Sequence, residues 1–299
     1  MRCGIDLGGT KTEAVIMDDN GEIIWRARKA TPADSYDAIL DTLETLICAA
    51  DAHAGSTVNV GIGMPGSLSP KTGNIRNSNT QSLIGKPFRE DMQDLLGREV
   101  RLANDANCFA LSEAIDGAGA EAGANGVFGV MLGTGCGGGL VINGKLQAGT
   151  NGIGGEWGHN PLAAPRADEV PGPLCYCGRN GCNEVWLSGT GLARDHYETS
   201  GEKLTAVEIA AQATPETNAS IERLSDRLAR ALGAVINLVD PDVIVLGGGL
   251  SNIDLLYSRV PELWADYIFS DVINTRLVPN KHGDASGVRG AAWLWPSGR

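Results

Sequence analysis

The chain has 299 residues, 42% of them hydrophobic, and a formal net charge of −12. Its length suits two domains with buried cores, and no apolar run reaches the roughly 18 residues of a membrane span. The acidic balance argues against a general nucleic-acid-binding protein, but not against ATP, which local backbone donors and a divalent cation hold. Because the N-terminus enters a strand pattern at once and lacks the apolar stretch of a signal peptide, we expect a cytoplasmic protein without membrane or nucleic-acid partners.

The first third of the chain is predicted to alternate between strands and helices. Residues 2–7 and 12–17 have strand patterns on either side of Gly8-Gly9, and a turn signal at 18–21 precedes a third strand over 22–28. The next predicted elements are a helix over 35–52, a strand over 57–63, a helix over 88–96, a strand over 100–102 and a helix over 106–114.

A segment rich in Gly and Ala over 117–126 marks the predicted domain boundary. The elements predicted after it are strands over 127–132 and 140–142, a hairpin turn at Asn143-Gly144, a loop-rich region over 152–182, a helix over 219–239, a strand over 243–246 and a helix over 287–294. The alternation indicates an α/β protein. We expect an N-terminal domain over 1–117 and a C-terminal domain over 118–285, with a C-terminal helix over 286–299 returning to the first domain.

Two similar turns lie in the two halves of the chain. Leu7-Gly8-Gly9-Thr10 and Leu132-Gly133-Thr134-Gly135 each lie between two predicted strands. The similarity is either an internal repeat of one supersecondary unit or a coincidence, because Gly-rich turns are common in hairpins. The two short matches do not decide between these explanations.

The first of these turns belongs to the motif Gly4-Ile5-Asp6-Leu7-Gly8-Gly9-Thr10-Lys11-Thr12. It is not a Walker A loop, in which Lys and then Ser or Thr follow the last Gly and open a helix. Its glycines allow backbone N–H groups to approach a phosphate, its polar residues add donors, and Asp6 is a candidate Mg²⁺ ligand. An ordinary Gly-rich hairpin is the alternative.

The segment Asn104-Asp105-Ala106-Asn107 begins a predicted helix. Asn104 or Asp105 is a suitable N-cap, which is a purely structural role. In the functional alternative, the Asp105 carboxylate is the base that accepts a proton from an attacking hydroxyl. One carboxylate and Mg²⁺ are enough for such a role, because phosphoryl transfer needs mainly a positioned nucleophile and charge neutralisation.

Three cysteines, Cys175, Cys177 and Cys182, follow His159 in a loop-rich region. Three thiolates and one imidazole are a standard tetrahedral Zn²⁺ set, and in a cytoplasmic chain a metal site is favoured over disulfides. Four protein ligands leave no position for water, so the predicted zinc is structural. The nearby Glu156 and Glu184 are either surface charges or carboxylates held close to one pocket, where they accept hydrogen bonds from sugar hydroxyls.

A strand-to-helix turn is predicted at Gly247-Gly248-Gly249. Such a turn lets a flat ring or a ribose lie on bare backbone, although an ordinary Gly-rich turn has the same pattern. It is not a dinucleotide-binding fingerprint, because Asn252 lies where the last Gly is required.

In this order, the motifs resemble those of the ROK family of sugar kinases and sugar-responsive repressors, over essentially the whole chain. The shared motifs are Asp-x-Gly-Gly-Thr-Lys at 6–11, Asn-Asp-Ala-Asn at 104–107, Gly-Thr-Gly-x-Gly-Gly-Gly at 133–139, Glu-x-Gly-His at 156–159 and Cys-x-Cys-Gly-x-x-Gly-Cys-x-Glu at 175–184. Finer features at 77–80, 155–161 and 281–292 resemble bacterial fructokinases of the broad-specificity hexokinase kind. The Pro-rich spacer between His159 and Cys175 is longer than in many members.

The resemblance implies an actin-like, hexokinase-like (ribonuclease H-like) fold of two α/β domains with an interdomain cleft, and a homodimer. It implies ATP contacts, with Mg²⁺, at Gly4, Ile5, Asp6, Leu7, Gly8, Gly9, Thr10, Lys11, Thr12, Gly133, Thr134, Gly135, Cys136, Gly137, Gly138, Gly139, Gly247, Gly248 and Gly249. It implies sugar contacts at Asn79, Asn104, Asp105, Glu156, His159 and Glu184, with Asp105 as the catalytic base. The implied zinc ligands are His159, Cys175, Cys177 and Cys182.

The expected reaction is the ATP-dependent phosphorylation of fructose at its 6-hydroxyl, giving fructose 6-phosphate and ADP, with mannose or glucose as further acceptors. The alternatives are a glucokinase or N-acetylhexosamine kinase of the same family, and a zinc-stabilised sugar-binding protein without catalysis. A sugar-sensing transcriptional repressor is disfavoured, because the first strand begins at Arg2 and leaves no room for a DNA-binding domain.

Overall fold

Strands and helices alternate along the computed structural model, which describes residues 1–296. The strands are β1 (Arg2–Leu7), β2 (Lys11–Met17), β3 (Ile23–Ala30), β4 (Asn59–Met64), β5 (Ser67–Leu68), β6 (Ile75–Arg76), β7 (Val100–Asn104), β8 (Gly126–Leu132), β9 (Cys136–Ile142), β10 (Lys145–Leu146), β11 (Val243–Gly247) and β12 (Arg276–Pro279). The α-helices are α1 (Tyr36–Ala54), α2 (Phe88–Leu96), α3 (Asp105–Ile115), α4 (Ala118–Glu121), α5 (Asn183–Leu187), α6 (Gly189–Ser200), α7 (Ala206–Ala211), α8 (Pro215–Val239), α9 (Leu255–Trp264) and α10 (Ser286–Trp293). None of the helices within 1–296 is both long and apolar enough to cross a membrane.

Two five-stranded sheets have the same topology. Their strand orders are β3-β2-β1-β4-β7 and β10-β9-β8-β11-β12. In each sheet the first three strands along the chain are antiparallel neighbours, and the last two extend the sheet in parallel from its first strand. The two Gly-rich turns connect the first and second strands of their sheets. Their similarity is therefore an internal repeat and not a coincidence.

Each sheet has a hydrophobic core of its own. In the first, α1 packs on β2, and its buried Ile39, Leu43 and Ile47 follow the predicted helical spacing. In the second, the 25-residue α8 buries a longer apolar face. This helix begins four residues earlier than predicted, because the Thr214 hydroxyl accepts a hydrogen bond from the Thr217 N–H and caps a first turn that apolar spacing does not reveal.

Strand β9 also begins four residues before the predicted strand, so the glycines at 137–139 are part of the sheet. Glycine is unfavourable in a strand, but neighbouring groups occupy the space of the missing side chains here. A Cβ at Gly138 would lie 2.7 Å from Trp157 Cδ1, and one at Gly139 would lie 2.8 Å from Ala110 Cβ. Close packing against α3 and a neighbouring loop therefore outweighs strand propensity.

Helices α3 and α10 pack against each other between the two sheets. Helix α10 also contacts β1, β2 and β4 of the first sheet, and α3 contacts β8 and β9 of the second. The close approach depends on Gly290, where a Cβ would lie 1.7 Å from the carbonyl oxygen of Cys108. Helix α10 ends at Trp293, earlier than the helix predicted over 286–299, and residues 297–299 lie outside the described residues.

Gly290→Ala is expected to lower the free energy of unfolding by at least about 2 kcal/mol, because the added methyl group meets a backbone carbonyl that moves only if the two helices separate. Urea denaturation of the variant and the wild type measures the change. The control is Gly249→Ala, since no atom lies within 4 Å of a Cβ at that position. If Gly290→Ala were as stable as the wild type, the close contact between the two helices would be wrong.

Candidate active site

Exposed backbone characterises both Gly-rich turns. In the first turn the Gly8 N–H donates to the Lys11 carbonyl at 3.0 Å, and Gly9, Thr10 and Lys11 are exposed. The second turn is closed by the Gly133 N–H, which donates to the carbonyl of residue 135, also at 3.0 Å. In the second turn Thr134 is exposed and the two flanking glycines are half-buried. Each turn therefore has accessible backbone and a threonine hydroxyl, and the first adds an ammonium group. Such a surface suits phosphate oxygens.

Other residues of the first motif do not face solvent. Gly4, Ile5 and Leu7 are buried within β1, and the Thr12 hydroxyl is 2.8 Å from the Thr31 hydroxyl. In the second motif, Cys136 and the three glycines after it belong to β9, and packing accounts for these glycines as described above. These positions support the turns from within, and the exposed residues of each turn are the candidates for nucleotide contact.

The third Gly-rich turn lies against the second. Gly247 faces Phe109, whose ring would be 2.5 Å from a Cβ there, and Gly248 has a φ of 79° and approaches the Leu132 carbonyl. Gly249 is exposed. The first two glycines are therefore required by close packing and by a left-handed backbone, whereas Gly249 leaves bare backbone accessible. A short 3₁₀ turn follows before α9, where the sequence suggests a helix directly.

Asn104 and Asp105 have separate roles at the start of α3. Asn104 is the N-cap, since its Oδ1 accepts a hydrogen bond from the Asn107 N–H at 2.7 Å. The Asp105 Oδ1 accepts one from the Ala106 N–H at 2.8 Å. Solvent reaches the Asp105 side chain, but the protein groups around it displace enough water to raise the pKa of its carboxyl. A carboxylate that is partly desolvated yet accessible suits a general base.

Asp6, near the end of β1, lies within electrostatic reach of Asp105. Burial raises the pKa of Asp6 to about 6, the charges of Asp105 and Glu13 act in the same direction, and Lys11 lowers it. Gly287, in the first turn of α10, leaves room for this carboxylate: a Cβ there would lie 3.2 Å from Asp6 Oδ2. A divalent cation would relieve the mutual repulsion of the two carboxylates, and oxygen ligands suit Mg²⁺.

Glu156 extends the site on the other side of Asn104, whose Nδ2 lies 3.5 Å from Glu156 Oε1. Burial is the largest of the causes that raise the pKa of Glu156; the charge of His159 lowers it, and the charges of Asp105 and Glu184 raise it. Glu156 and His159 stand at the two ends of a 3₁₀ turn, Trp157–His159. Glu156 is therefore one of a group of neighbouring acidic residues, with Asp105 and Glu184, rather than an isolated surface charge.

Asn79 lies beside the first Gly-rich turn. It is exposed in the loop at 77–80, which borders the first Gly-rich turn, since Thr80 Oγ1 lies 4.0 Å from the Cβ position of Gly9. Within residues 1–296, no hydrogen bond or ion pair joins Asn79 to the acidic residues of the site. The structure thus brings together five of the six predicted sugar contacts, while the loop of Asn79 borders the first Gly-rich turn.

The predicted metal ligands His159, Cys175, Cys177 and Cys182 converge, and one ligand atom from each lies within 4.8 Å of the others. Cys175 Sγ is 3.5 Å from His159 Nδ1, and Cys177 Sγ is 3.6 Å from Cys182 Sγ. Two sulfurs on one tetrahedral Zn²⁺ are about 3.8 Å apart, and a sulfur and an imidazole nitrogen about 3.5 Å. The donor set and its spacing therefore fit a four-coordinate metal.

Glu184 joins this Cys/His cluster to the second Gly-rich turn. Its Oε2 accepts a hydrogen bond from the Cys136 N–H at 3.1 Å, and its Oε1 lies 3.8 Å from Cys175 Sγ. A Cβ at Gly135 would lie 2.7 Å from Glu184 Oε2. Glu184 is therefore held between the cysteine loop and the start of β9. This position agrees with the alternative in which Glu184 is a carboxylate held close to a pocket and not a surface charge.

Two residues of the site have no signal in the sequence. The Tyr176 hydroxyl lies 2.9 Å from His159 Nε2, but an aromatic residue between two metal-ligand cysteines does not by itself indicate a bond to a histidine. The contact of Gly287 with Asp6 depends on how α10 packs against β1. A set of homologous sequences with an invariant Gly at this position is the signal that would reveal it.

The geometry gives each part of the site a chemical capacity. The exposed turns can hold phosphate oxygens, the carboxyl of Asp6 can hold a divalent cation, and Asp105 can accept a proton. Glu156 and Glu184 can accept hydrogen bonds from hydroxyls.

Comparisons with known proteins show which proteins this chain is similar to. A sequence model of the ROK family matches residues 2–297. The N-acetyl-D-glucosamine kinase of Yersinia enterocolitica is 40% identical over 98% of this chain and 99% of its own length. The N-acetyl-D-glucosamine kinase of Escherichia coli O127:H6 is 41% identical with the same coverage.

Solved structures of ROK proteins have the same fold. The ROK hexokinase from Thermus thermophilus aligns with a TM-score of 0.85 at 29% identity, over 97% of this chain and 96% of that one. A ROK family glucokinase from Streptomyces griseus, in complex with glucose and AMPPNP, aligns with a TM-score of 0.79 at 27% identity, over 99% of both chains. The expected actin-like, hexokinase-like α/β fold is confirmed.

Asp105→Asn is expected to lower the pKa of Asp6 in Mg²⁺-free protein, because it removes a like charge; the pKa should remain above 3.8, since burial is the larger cause. Carboxyl-carbon NMR titration measures it, and the exposed Asp19→Asn is the control. An Asp6 that titrates near 3.8 in the wild type contradicts the predicted environment.

The raised pKa of Asp6 also has a consequence for stability. The protonated form stabilises the folded state below about pH 4, and this contribution is lost as the pH rises through about 6. Asp6→Asn should therefore reduce the loss of unfolding free energy between pH 4 and 7, which urea denaturation at several pH values measures.

Proposed function

Because the chain belongs to the ROK family and is an ATP-dependent sugar kinase, we propose that it phosphorylates N-acetyl-D-glucosamine at the 6-hydroxyl, giving the 6-phosphate and ADP. The observation that carries this proposal is the similarity to N-acetyl-D-glucosamine kinases, 40% and 41% identical over 98% of this chain. Fructose, the acceptor expected from the sequence, does not occur in the names of these relatives. The N-acetylhexosamine alternative therefore replaces it.

Asp105 is the proposed base. Its carboxylate takes the proton of the 6-hydroxyl as the oxygen attacks the terminal phosphorus of ATP, and the bond from that phosphorus to the bridging oxygen of ADP breaks. The raised pKa of Asp105 favours uptake of the proton. Asn104, held by its capping hydrogen bond, and Glu156 orient neighbouring hydroxyls of the sugar.

The two Gly-rich turns are the proposed phosphate sites. Both turns lie between the first and second strands of their sheets, so each half of the protein supplies one set of backbone donors. Lys11, exposed at the end of the first turn, adds a positive charge. Mg²⁺, bound near Asp6, would supply neutralisation of phosphate charge.

The Cys/His cluster is the proposed structural zinc site, since its spacing fits a tetrahedral ion and its four ligands leave no position for water. A metal there would fix the loop at 175–182 and, through it, His159 and Glu184. The metal would then hold these two side chains in the sugar pocket and would bind no reacting group itself.

The proposed substrate is tested by ADP release with Mg²⁺-ATP and N-acetyl-D-glucosamine, fructose, glucose or mannose. The highest kcat/KM is expected with N-acetyl-D-glucosamine. If fructose gave the highest value, the proposed acceptor would be wrong while the kinase mechanism remained.

The same assay tests the base. Asp105→Asn is expected to lower kcat by roughly 10²- to 10⁴-fold, because the amide keeps the hydrogen bond from the Ala106 N–H but cannot take a proton. Sugar affinity, measured by calorimetry without nucleotide, should change only a few-fold. Asp94→Asn, at an exposed position of α2, is the matched control. Near-normal turnover by Asp105→Asn would exclude it as the base.

Cys182→Ser is expected to abolish binding of one zinc ion per chain and to lower the thermal stability, because the buried Cys182 supplies a ligand and serine oxygen is a poor substitute for a thiolate. Elemental analysis of purified protein gives the metal content, and Cys48→Ser, an exposed cysteine on α1, is the control. A wild-type protein without zinc after growth with added zinc would contradict the site.

A further inference from the structure

Most side chains of the proposed sugar pocket are hydrogen-bond acceptors. Asp105, Glu156 and Glu184 carry carboxylates, which accept but do not donate when ionised. They suit sugar hydroxyls, which donate. The carbonyl oxygen of an acetamido group only accepts, so carboxylates alone would leave it unpaired after it loses water, at a cost in affinity. Recognition of an acetamido group therefore requires a donor.

The Tyr176–His159 pair supplies a candidate donor. The Tyr176 oxygen lies 2.9 Å from His159 Nε2, while the other imidazole nitrogen, Nδ1, faces Cys175 Sγ at 3.5 Å within the Cys/His cluster. When that cluster uses the lone pair of Nδ1, the imidazole proton is on Nε2 and is donated to the Tyr176 oxygen. The phenol O–H is then directed away from His159 and is free to donate to a ligand.

Tyr176 also offers an apolar surface beside the polar pocket. Tyr176 is 81% exposed, and it follows Cys175, whose Sγ lies 3.8 Å from Glu184 Oε1. Its ring meets that of His159 edge to face, with centroids 5.1 Å apart and an angle of 85° between the planes. An exposed ring held in one orientation is a suitable surface for a methyl group.

A sugar with its 6-hydroxyl at Asp105 has its 2-substituent at the far end of the ring. In a pyranose ring, C2 lies across the ring from C5, which carries the C6 hydroxyl. Glu156 contacts Asn104 at the start of α3, and His159 follows at the other end of the 3₁₀ turn, so the loop of His159 and Tyr176 lies beyond Glu156 as seen from Asp105. We infer that Tyr176 is a specificity-determining residue, whose hydroxyl donates to the carbonyl of the 2-acetamido group and whose ring covers its methyl. This inference rests on the proposed function.

The test compares Tyr176→Phe with the wild type for N-acetyl-D-glucosamine and glucose, by kcat/KM and by calorimetric binding without nucleotide. The preference for N-acetyl-D-glucosamine over glucose should fall roughly three- to tenfold, through KM and not kcat, because one hydrogen bond is lost. The values for glucose should not change. Tyr197→Phe, an exposed tyrosine on α6, is the matched control and should keep both values.

The outcomes separate this inference from the proposed function. A wild-type enzyme without a preference for N-acetyl-D-glucosamine contradicts the proposed function and this inference with it. A wild-type preference that survives Tyr176→Phe, or an equal loss of affinity for both sugars, contradicts the inference alone. Zinc content, measured on the same samples, should be unchanged; if Tyr176→Phe loses the metal, the effect passes through the cluster and the specificity role is overturned.

Discussion

The close crossing of α3 and α10 is the contact on which the rest of the site depends. It requires a glycine at position 290, because any side chain there would overlap the Cys108 carbonyl. Helix α3 begins with Asp105, and α10 begins beside Asp6, so this one crossing fixes the relation between the two carboxylates. The buried Glu113, near the end of α3, strengthens it by accepting hydrogen bonds from the Lys281 N–H and the Ser286 hydroxyl just before and at the start of α10.

The acidic residues that stabilise the structure and those of the candidate active site have pKa values shifted in opposite directions. Burial alone would raise the pKa of Glu169, but hydrogen bonds from Arg230, the Arg166 N–H and Arg227, with the charge of Arg230, outweigh it and hold the pKa at about 2. Asp6 has a pKa of about 6, since burial and a neighbouring carboxylate act in the same direction. A carboxylate that is paired with arginines keeps its charge and stabilises the structure. A buried carboxylate beside another negative charge is instead stabilised by binding a cation or a proton. Asp6, Asp105 and Glu156, whose pKa values burial raises, all lie in the candidate active site.

Glu169 also explains how the long spacer between His159 and Cys175 is accommodated. The salt bridges of Glu169 attach this segment to α8. Arg227 in addition lies over the ring of Trp186, 4.4 Å from its centroid, and Trp186 follows Glu184 by two residues on α5. One side of α8 therefore supports both the spacer and the helix that carries a proposed sugar contact, so the extra length need not loosen the pocket.

The sequence by itself determined the strands β1 to β4, β7, β8 and β11, the helices α1, α2, α3, α8 and α10, the two Gly-rich turns, the four metal-ligand candidates and the family. These features are local: apolar spacing reflects one helix or strand, and ligand residue types near one another in sequence report a cluster directly. Only the tertiary structure decided that Asn104 and not Asp105 caps α3, that the two turns are a true repeat, that the glycines at 137–139 and 290 serve packing, and that Tyr176 bonds to His159. Each of these depends on a neighbour brought close by folding, most of them far along the chain, and such contacts leave no periodic or compositional signal in a single sequence.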